Sequence, residues 1–363
     1  MRLLELTALS FRNLSPEPVF FGAGVTLITG GNAQGKTNLL EAVALLCGQR
    51  SFRRARPSEI AADGEAFALS GKIRREDEEE TLRLTWSREQ GRTFFRGEKN
   101  ATFPQVARLA PAVFLAPEHR ELLTGGPSVR RRFLDRLVLG SRPAAADDLV
   151  RYERALAERN ALLARPARAA AEELETWTAE LARTGSAVRR HRAAALAQWM
   201  VHLAPLAREA GPEYQAVSVS YPHDGDGEET LRKELLRVGP AERRRGHSLA
   251  GPHRDDLVFS RHGRPLAAHA SAGELHRIVS LVKLAEWRAV ADASGEAPLL
   301  GVDEFEAGLS PAWADAFLAS LPEAATVLLT SAGDPGRWRR RIAGVLEIRE
   351  GRVFDRPRAV NES

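Results

Sequence analysis

The chain has 363 residues, 44% of them hydrophobic, and a formal net charge of +4; that is length for about two domains and apolar content enough for a core. No run of 18 or more uncharged apolar residues exists, Glu5 interrupts the apolar start, and Cys47 is the single cysteine, so a membrane span, a signal peptide and a disulfide framework are excluded and a cytoplasmic address is expected. Of the 52 basic residues 47 are arginine, which suits phosphate contact, although a coding bias towards Arg and Ala produces the same count.

Residues 3–9 alternate as a strand and Val19-Phe20-Phe21 begins another. Val25–Thr29 is a short apolar, β-branched run, read as a buried strand. Asn38–Leu46 carries apolar residues at helical spacing, with Gly48 placed to end that helix. Ser51–Arg56 is a basic loop. Strands are expected at Ala66–Ile73, Thr81–Trp86 and Thr93–Arg96, separated by turn-rich Arg74–Glu80, as an antiparallel meander. Ala112–Leu115 reads as a buried strand ending at Pro117-Glu118.

From Ser128 to Ala210 the texture changes to Ala, Arg, Leu and Glu at helical spacing, and Pro143, Pro166 and Pro205 are expected to break it into three or four helices. Gln215–Tyr221 alternates as a strand, Glu229–Val238 reads as a short helix and Leu257–Phe259 as a strand. Arg277–Ala291 is an amphipathic helix. Leu299–Val302 and Thr326–Thr330 are buried strands flanking a helix at Ala312–Leu321, and Val345–Arg349 with Arg352–Asp355 forms a terminal hairpin.

Between the strand at 25–29 and the helix that follows lies Gly30-Gly31-Asn32-Ala33-Gln34-Gly35-Lys36-Thr37, a G-x-x-x-x-G-K-[ST] P-loop followed by Asn38. Its glycines let backbone N–H groups converge on phosphate oxygens at a helix N-terminus. Lys36 would reach the β- and γ-phosphates and the Thr37 hydroxyl would ligate Mg²⁺. An ordinary Gly-rich turn is the bland alternative, and having both flanks in place argues against it. The expectation is an ATP site with Mg²⁺ as cofactor.

A P-loop needs a carboxylate at the end of a buried strand. Leu299–Val302 supplies Asp303 for the metal and Glu304 to polarise an attacking water, with Lys36 completing the catalytic set. Most of the chain separates Lys36 from Asp303. Before the helix preceding that strand stands Ser271-Ala272-Gly273-Glu274, a capping box whose Ser hydroxyl and Gly N–H can also meet a γ-phosphate, in cis or from a second subunit.

These residues carry a resemblance. Phe11-Arg12-Asn13, Gly31 to Ala42, Phe114 to Glu118, Arg130-Arg131-Arg132-Phe133-Leu134-Asp135, Gly251 to Leu257, Ser271 to Glu274 and Asp303-Glu304 resemble the RecF family of recombination-mediator ATPases, related to the chromosome-maintenance (SMC) ATPases. The resemblance spans essentially the whole chain. It implies an α/β fold: an ABC-type P-loop ATPase head (mixed sheet with an antiparallel β subdomain) plus a short α-helical arm. The expected division is 1–125 for the N-terminal part of the head, 126–212 for the arm and 213–363 for the C-terminal part of the head. It further implies an ATP-dependent homodimer in which Ser271, Gly273 and Glu274 of one subunit close over nucleotide held by the other. Arg12, Asn13 and Asn32 would lie beside the nucleotide, and Glu118 stands where the superfamily offers the metal a Gln. Ala272 stands where family members have Gln, Ala307–Ser310 departs from the family's dimer-contact loop, and Thr330-Ser331 replaces a transporter-type His, which implies slow hydrolysis.

The function implied is a weak, DNA-dependent ATPase and DNA clamp in recombinational repair and replication-gap processing, including the SOS response. Its expected partners are double-stranded DNA, single-strand/double-strand junctions, RecR, RecO and RecA, with no membrane association. Basic clusters at Arg53, Arg54, Arg56, at Arg130–Arg132, at Arg243–Arg245 and at Arg337 with Arg339–Arg341 are candidate phosphate contacts, although a solvated surface or a structural ion pair accounts for any one of them at least as well, and Arg130–Arg132 is also placed to brace the arm against the head. A transporter nucleotide-binding subunit is the rival reading, against which stands the long Arg-rich insertion between Gly35 and Ser271. The insertion is too short, and lacks the Cys-x-x-Cys hook, for a long-coiled-coil nuclease tether. A metabolic kinase would need an acceptor pocket these motifs do not supply.

Overall fold

A computed structural model describes residues 1–76, 78–165, 171–223, 227–305, 311–319, 321, 325–332 and 341–356. The chain forms two compact units, one from Met1–Arg120 with Ser271–Ser363, the other from Glu121–Ala270.

The first unit is built on two sheets. The central one has the strand order Arg352–Arg356, Ile342–Arg349, Val25–Thr29, Val327–Ser331, Leu299–Val302, Ala112–Leu115. Its outermost hairpin is antiparallel and every other pairing is parallel. Strands at 25–29, 299–302 and 327–331 are buried at every position, which is why they read as unbroken apolar runs rather than alternations. Register aligns Thr29 with Ser331 and Val302 with Leu329, so the P-loop, Asp303 and Ser331 emerge together at the carboxyl ends of the strands, where open α/β sheets bind ligands.

The second sheet is an antiparallel meander of six strands led by Arg2–Leu9, with Ala66–Arg75 and Glu78–Ser87 at its centre. The expected turn over 74–80 is instead strand almost to its tip, since Arg75 pairs with Glu78 and the charged run there is solvent-facing strand. Between the two sheets the P-loop helix, Lys36–Leu46, is buried from Leu39 to Leu46. It packs so tightly that a Cβ on Gly71 would sit 2.4 Å from Leu46 Cδ2.

The second unit carries three long helices, Pro127–Ser141, Ala146–Leu163 and Ala171–Ala210, a fourth at Glu228–Arg245, and a small antiparallel sheet. Pro205 does not break its helix, and Pro240 lies inside the fourth helix rather than beyond it. The carbonyls each proline leaves unpaired, on Val201 and Leu236, belong to exposed residues at 69% and 56% accessibility, so water can satisfy them. The stretch 213–270, grouped with the head in the sequence reading, packs with the helices. The reason is a buried polar core around Asp255, which accepts from Arg189 at 2.8 and 3.1 Å and from the Tyr221 hydroxyl at 2.6 Å. Arg192 bonds Asp135 and the Pro252 carbonyl, and Arg159 reaches Glu242 at 2.7 Å.

Candidate nucleotide-binding site

The P-loop helix begins at Gly35 (φ 119°) with no side-chain cap and no acid in its first turn, leaving its N–H groups and partial positive charge for an anion. Two glycines are required. A Cβ at Gly30 would stand 2.4 Å from the Ile348 carbonyl oxygen, and one at Gly35 would press on Asn13 and Ile348. Ala33 adopts φ 61°, a left-handed conformation tolerated in a tight loop.

The loop is held from both ends of the chain. Gln34 O accepts from Asn13 Nδ2 at 3.2 Å and from the Gly351 N–H at 2.9 Å, while its Oε1 accepts from the Glu350 N–H at 2.6 Å. Asn38 Nδ2 donates to Asn13 Oδ1 at 2.7 Å, and Arg53 donates to Asn38 Oδ1 at 2.9 Å. Asn32 is exposed at the loop's crest. Lys36 Nζ donates to the Gly30 and Gly31 carbonyls at 2.7 and 2.8 Å, folded back over the loop it serves. Burial draws its pKa down, and Asp303 and Glu304 oppose that.

Asp303 is 4% exposed, and its Oδ1 receives the Thr330 hydroxyl at 2.6 Å and the Thr37 hydroxyl at 3.1 Å. Glu304 is exposed in a left-handed conformation (φ 51°), its N–H donating to Thr330 Oγ1 at 2.8 Å. That arrangement leaves its carboxylate in solvent beside the phosphate end of the site. Glu118 is partly buried, with an Oε2 that finds no hydrogen-bond partner among the described residues. Burial raises its pKa, and the charges of Asp303 and Glu304 add to the rise.

No group of three or more His, Cys, Asp or Glu side chains suited to a metal occurs among the described residues. A P-loop magnesium needs no such group, since phosphate oxygens and water complete its shell. Thr37, Asp303 and the unpartnered oxygen of Glu118 are hard oxygen donors and fit that ion.

Other expected residues fall elsewhere. Arg12 gives Nε and Nη2 to the buried Glu41 at 3.0 and 3.3 Å and Nη1 to the Glu59 carbonyl. It is a strut that ties the segment before the P-loop to the P-loop helix and to the short helix after it. Ser271 forms the capping box, its N–H donating to Glu274 at 2.8 Å and its Oγ accepting from the Glu274 N–H at 3.3 Å. The hydroxyl proton is thereby left to donate. Gly273 has nothing within 4 Å of where a Cβ would be, so nothing in its own unit demands glycine there.

Arg130 grips Asp256 at 2.6 and 2.8 Å and Arg131 donates to the Asp255 carbonyl at 2.9 Å. Arg132 is likewise engaged. Arg130 and Arg131 thus brace the helical unit, the structural alternative to DNA contact that the sequence also allowed. Arg53, Arg54 and Arg56 are exposed. Ala307–Ser310 and Arg337, Arg339 and Arg340 lie outside the described residues. Sequence reasoning missed Glu41, Thr330's double role and the Gly351 clamp. Only Thr330, ending a buried strand at the height of Asp303, left a signal.

A family model described as an AAA domain matches residues 5–118. The "DNA replication and repair protein RecF" of Syntrophotalea carbinolica is 32% identical over 314 residues, covering 85% of this chain and 86% of that protein. Its namesake in Picosynechococcus is 31% identical over 352 residues, covering 91% and 90%. Among solved structures, the recombination mediator protein RecF with ATP aligns at a TM-score of 0.88 and 25% identity over 98% of this chain and 97% of that one. The Smc head domain of Pyrococcus furiosus, at 15% identity and a TM-score of 0.54 over 98% and 96%, shares the fold. The site therefore has the parts to hold a nucleoside triphosphate.

Proposed function

This chain belongs to the RecF family of DNA replication and repair proteins, and from that premise we propose that it is an ATP-dependent, DNA-binding clamp of recombinational repair. The observation that carries the reading is the meeting of Thr37 and Thr330 on Asp303 beside an uncapped P-loop helix.

ATP lies with its phosphates over Gly30–Asn38. Lys36 leaves the Gly30 and Gly31 carbonyls for the β- and γ-phosphates, and Asn13 and Asn38 keep the loop in place. Thr37 and Asp303, with Glu118 near, would hold magnesium, which would supply positive charge against the phosphate oxygens. The exposed Ser271 hydroxyl and Gly273 N–H of a second copy close over the γ-phosphate, joining two heads. Glu304 then takes a proton from water as the water oxygen bonds the γ-phosphorus and the bond to the bridging oxygen breaks, leaving ADP and phosphate. Hydrolysis is slow and opens the dimer.

The clamp holds double-stranded DNA near single-strand gaps and junctions in the cytoplasm, and works with RecR and RecO to load RecA. Sedimentation without nucleotide, with ATP and with ADP tests it, alongside Lys36→Met and Ser271→Arg. ATP alone should drive the wild type to a dimer while both variants stay monomeric. A wild type that binds ATP and remains monomeric defeats the clamp and leaves Ser271 a helix cap.

A further inference from the structure

The arginine runs of this chain divide by what they touch. Arg130, Arg131, Arg159, Arg189 and Arg192 are spent on acids and carbonyls inside the helical unit. Arg243-Arg244-Arg245, at the end of the helix Glu228–Arg245, is different: all three are exposed, and among the described residues none has an acid or carbonyl partner for its guanidinium.

The local sequence explains why. The residues one turn back are Gly239, Pro240, Ala241 and Glu242. The one acid, Glu242, is fully buried and taken by Arg159 and the Leu249 N–H, each at 2.7 Å. Arg237, two turns back, is exposed and equally unpaired among the described residues.

The turn is also fixed in shape. Gly246 ends the helix in the left-handed conformation (φ 72°) with its N–H on the Glu242 carbonyl at 2.7 Å, and the Ser248 N–H is pinned to Asn160 Oδ1 at 2.8 Å. Complementing the helix dipole accounts for basic residues in a last turn. It accounts neither for three in succession nor for the lack of an exposed acid in the turn before them.

We infer that the Arg243–Arg245 turn is a binding site for the phosphate backbone of duplex DNA. The inference rests on the DNA-binding reading above and says which surface does the binding. Three exposed guanidiniums crowded around one helix end of fixed shape make a local positive field that long arginine side chains can bring to backbone phosphates, and it carries no base readout. Duplex rather than single-stranded DNA is the fit, because no Phe, Tyr or Trp occurs from Glu228 to Ser248 to stack on bases.

The test is fluorescence anisotropy of the full chain with ATP and a short labelled duplex, across a salt series. Wild type is compared with R243Q/R244Q/R245Q and R243K/R244K/R245K, with thermal unfolding and ATP-dependent sedimentation measured on each. The glutamine variant should lose affinity by roughly tenfold or more and flatten the log affinity against log salt slope by about 3, at about 0.9 per phosphate contact. Its melting and dimerisation should stay as in wild type, and the lysine variant should keep most of the slope. Wild-type slope and affinity in the glutamine variant overturn the inference alone, as does a lysine variant no better than glutamine. A wild type that binds no duplex defeats the functional reading and this surface with it.

Discussion

The Thr330 hydroxyl lies 2.6 Å from Asp303 Oδ1 while accepting the Glu304 N–H at 2.8 Å, so one side chain sets the position of both acids. Thr330→Val keeps the shape and removes both bonds. The buried Asp303 oxygen then loses a donor, costing about 1–3 kcal/mol, and Glu304 loses its backbone anchor. ATP turnover should fall more than ATP affinity, with Thr330→Ser restoring most of it. A loss of affinity with turnover unchanged would place Thr330 in binding alone.

Glu304→Gln separates binding from chemistry. The side chain is exposed, so folding should be unaffected within about 0.5 kcal/mol. Turnover should drop by roughly 10²–10⁴, the usual contribution of a positioned base. The ATP-bound dimer should outlast that of wild type in a sedimentation or cross-linking time course. A short-lived dimer would mean that the base lies elsewhere.

Gly351→Ala attacks the P-loop from the far end of the chain. The new Cβ would stand 1.6 Å from the Asn13 carbonyl oxygen at a backbone φ of 79°, so the hairpin must move and release Gln34. Nucleotide affinity measured by calorimetry should weaken sharply while the helical unit's own melting is unchanged. Wild-type affinity would show that the clamp on Gln34 is dispensable.

His253 supplies a pH signature in the helical unit. Tyr152 donates its hydroxyl to Nδ1 at 2.6 Å, so the neutral ring carries its proton on Nε2 and donates to the Ser248 carbonyl at 3.1 Å. Burial lowers its pKa from 6.5 to about 4. Between those values the unfolded chain binds a proton that the folded chain refuses, so this contribution is complete above about 6.5 and lost as pH falls towards 4. Urea midpoints measured over that window should fall with acid in wild type and fall less steeply in His253→Asn. Parallel curves would remove His253 from the acid response.

Local features were legible in the sequence. The strand at 25–29, the loop and the helix after it are contiguous, and the buried run ending in Asp303-Glu304 signals itself by length and polarity. What stayed hidden depends on distant partners. Thr330 matters because parallel register sets Leu329 beside Val302, which no local pattern encodes. Arg130 and Arg131 look like a DNA patch until Asp255 and Asp256, far along the chain, claim them. The helix break at Pro205 and the helix end at Val238 were misplaced because packing can carry a helix through a proline at the cost of one backbone bond and a local distortion. The bidentate hold of Arg12 on Glu41 was invisible because Glu41 sits unmarked in an apolar helix.

The strand that carries the P-loop lies between 327–331 and 342–349, both made long after it. During synthesis, therefore, Val25–Thr29 must wait without its sheet neighbours while the ribosome builds the whole helical unit, whose polar core lies entirely within 121–270 and can form first. Gln34 receives the Gly351 N–H on its carbonyl and the Glu350 N–H on its side-chain Oε1. A nucleotide site that depends on this clamp is completed only when the hairpin has been made, so its capture of ligand would come late in the life of the nascent chain.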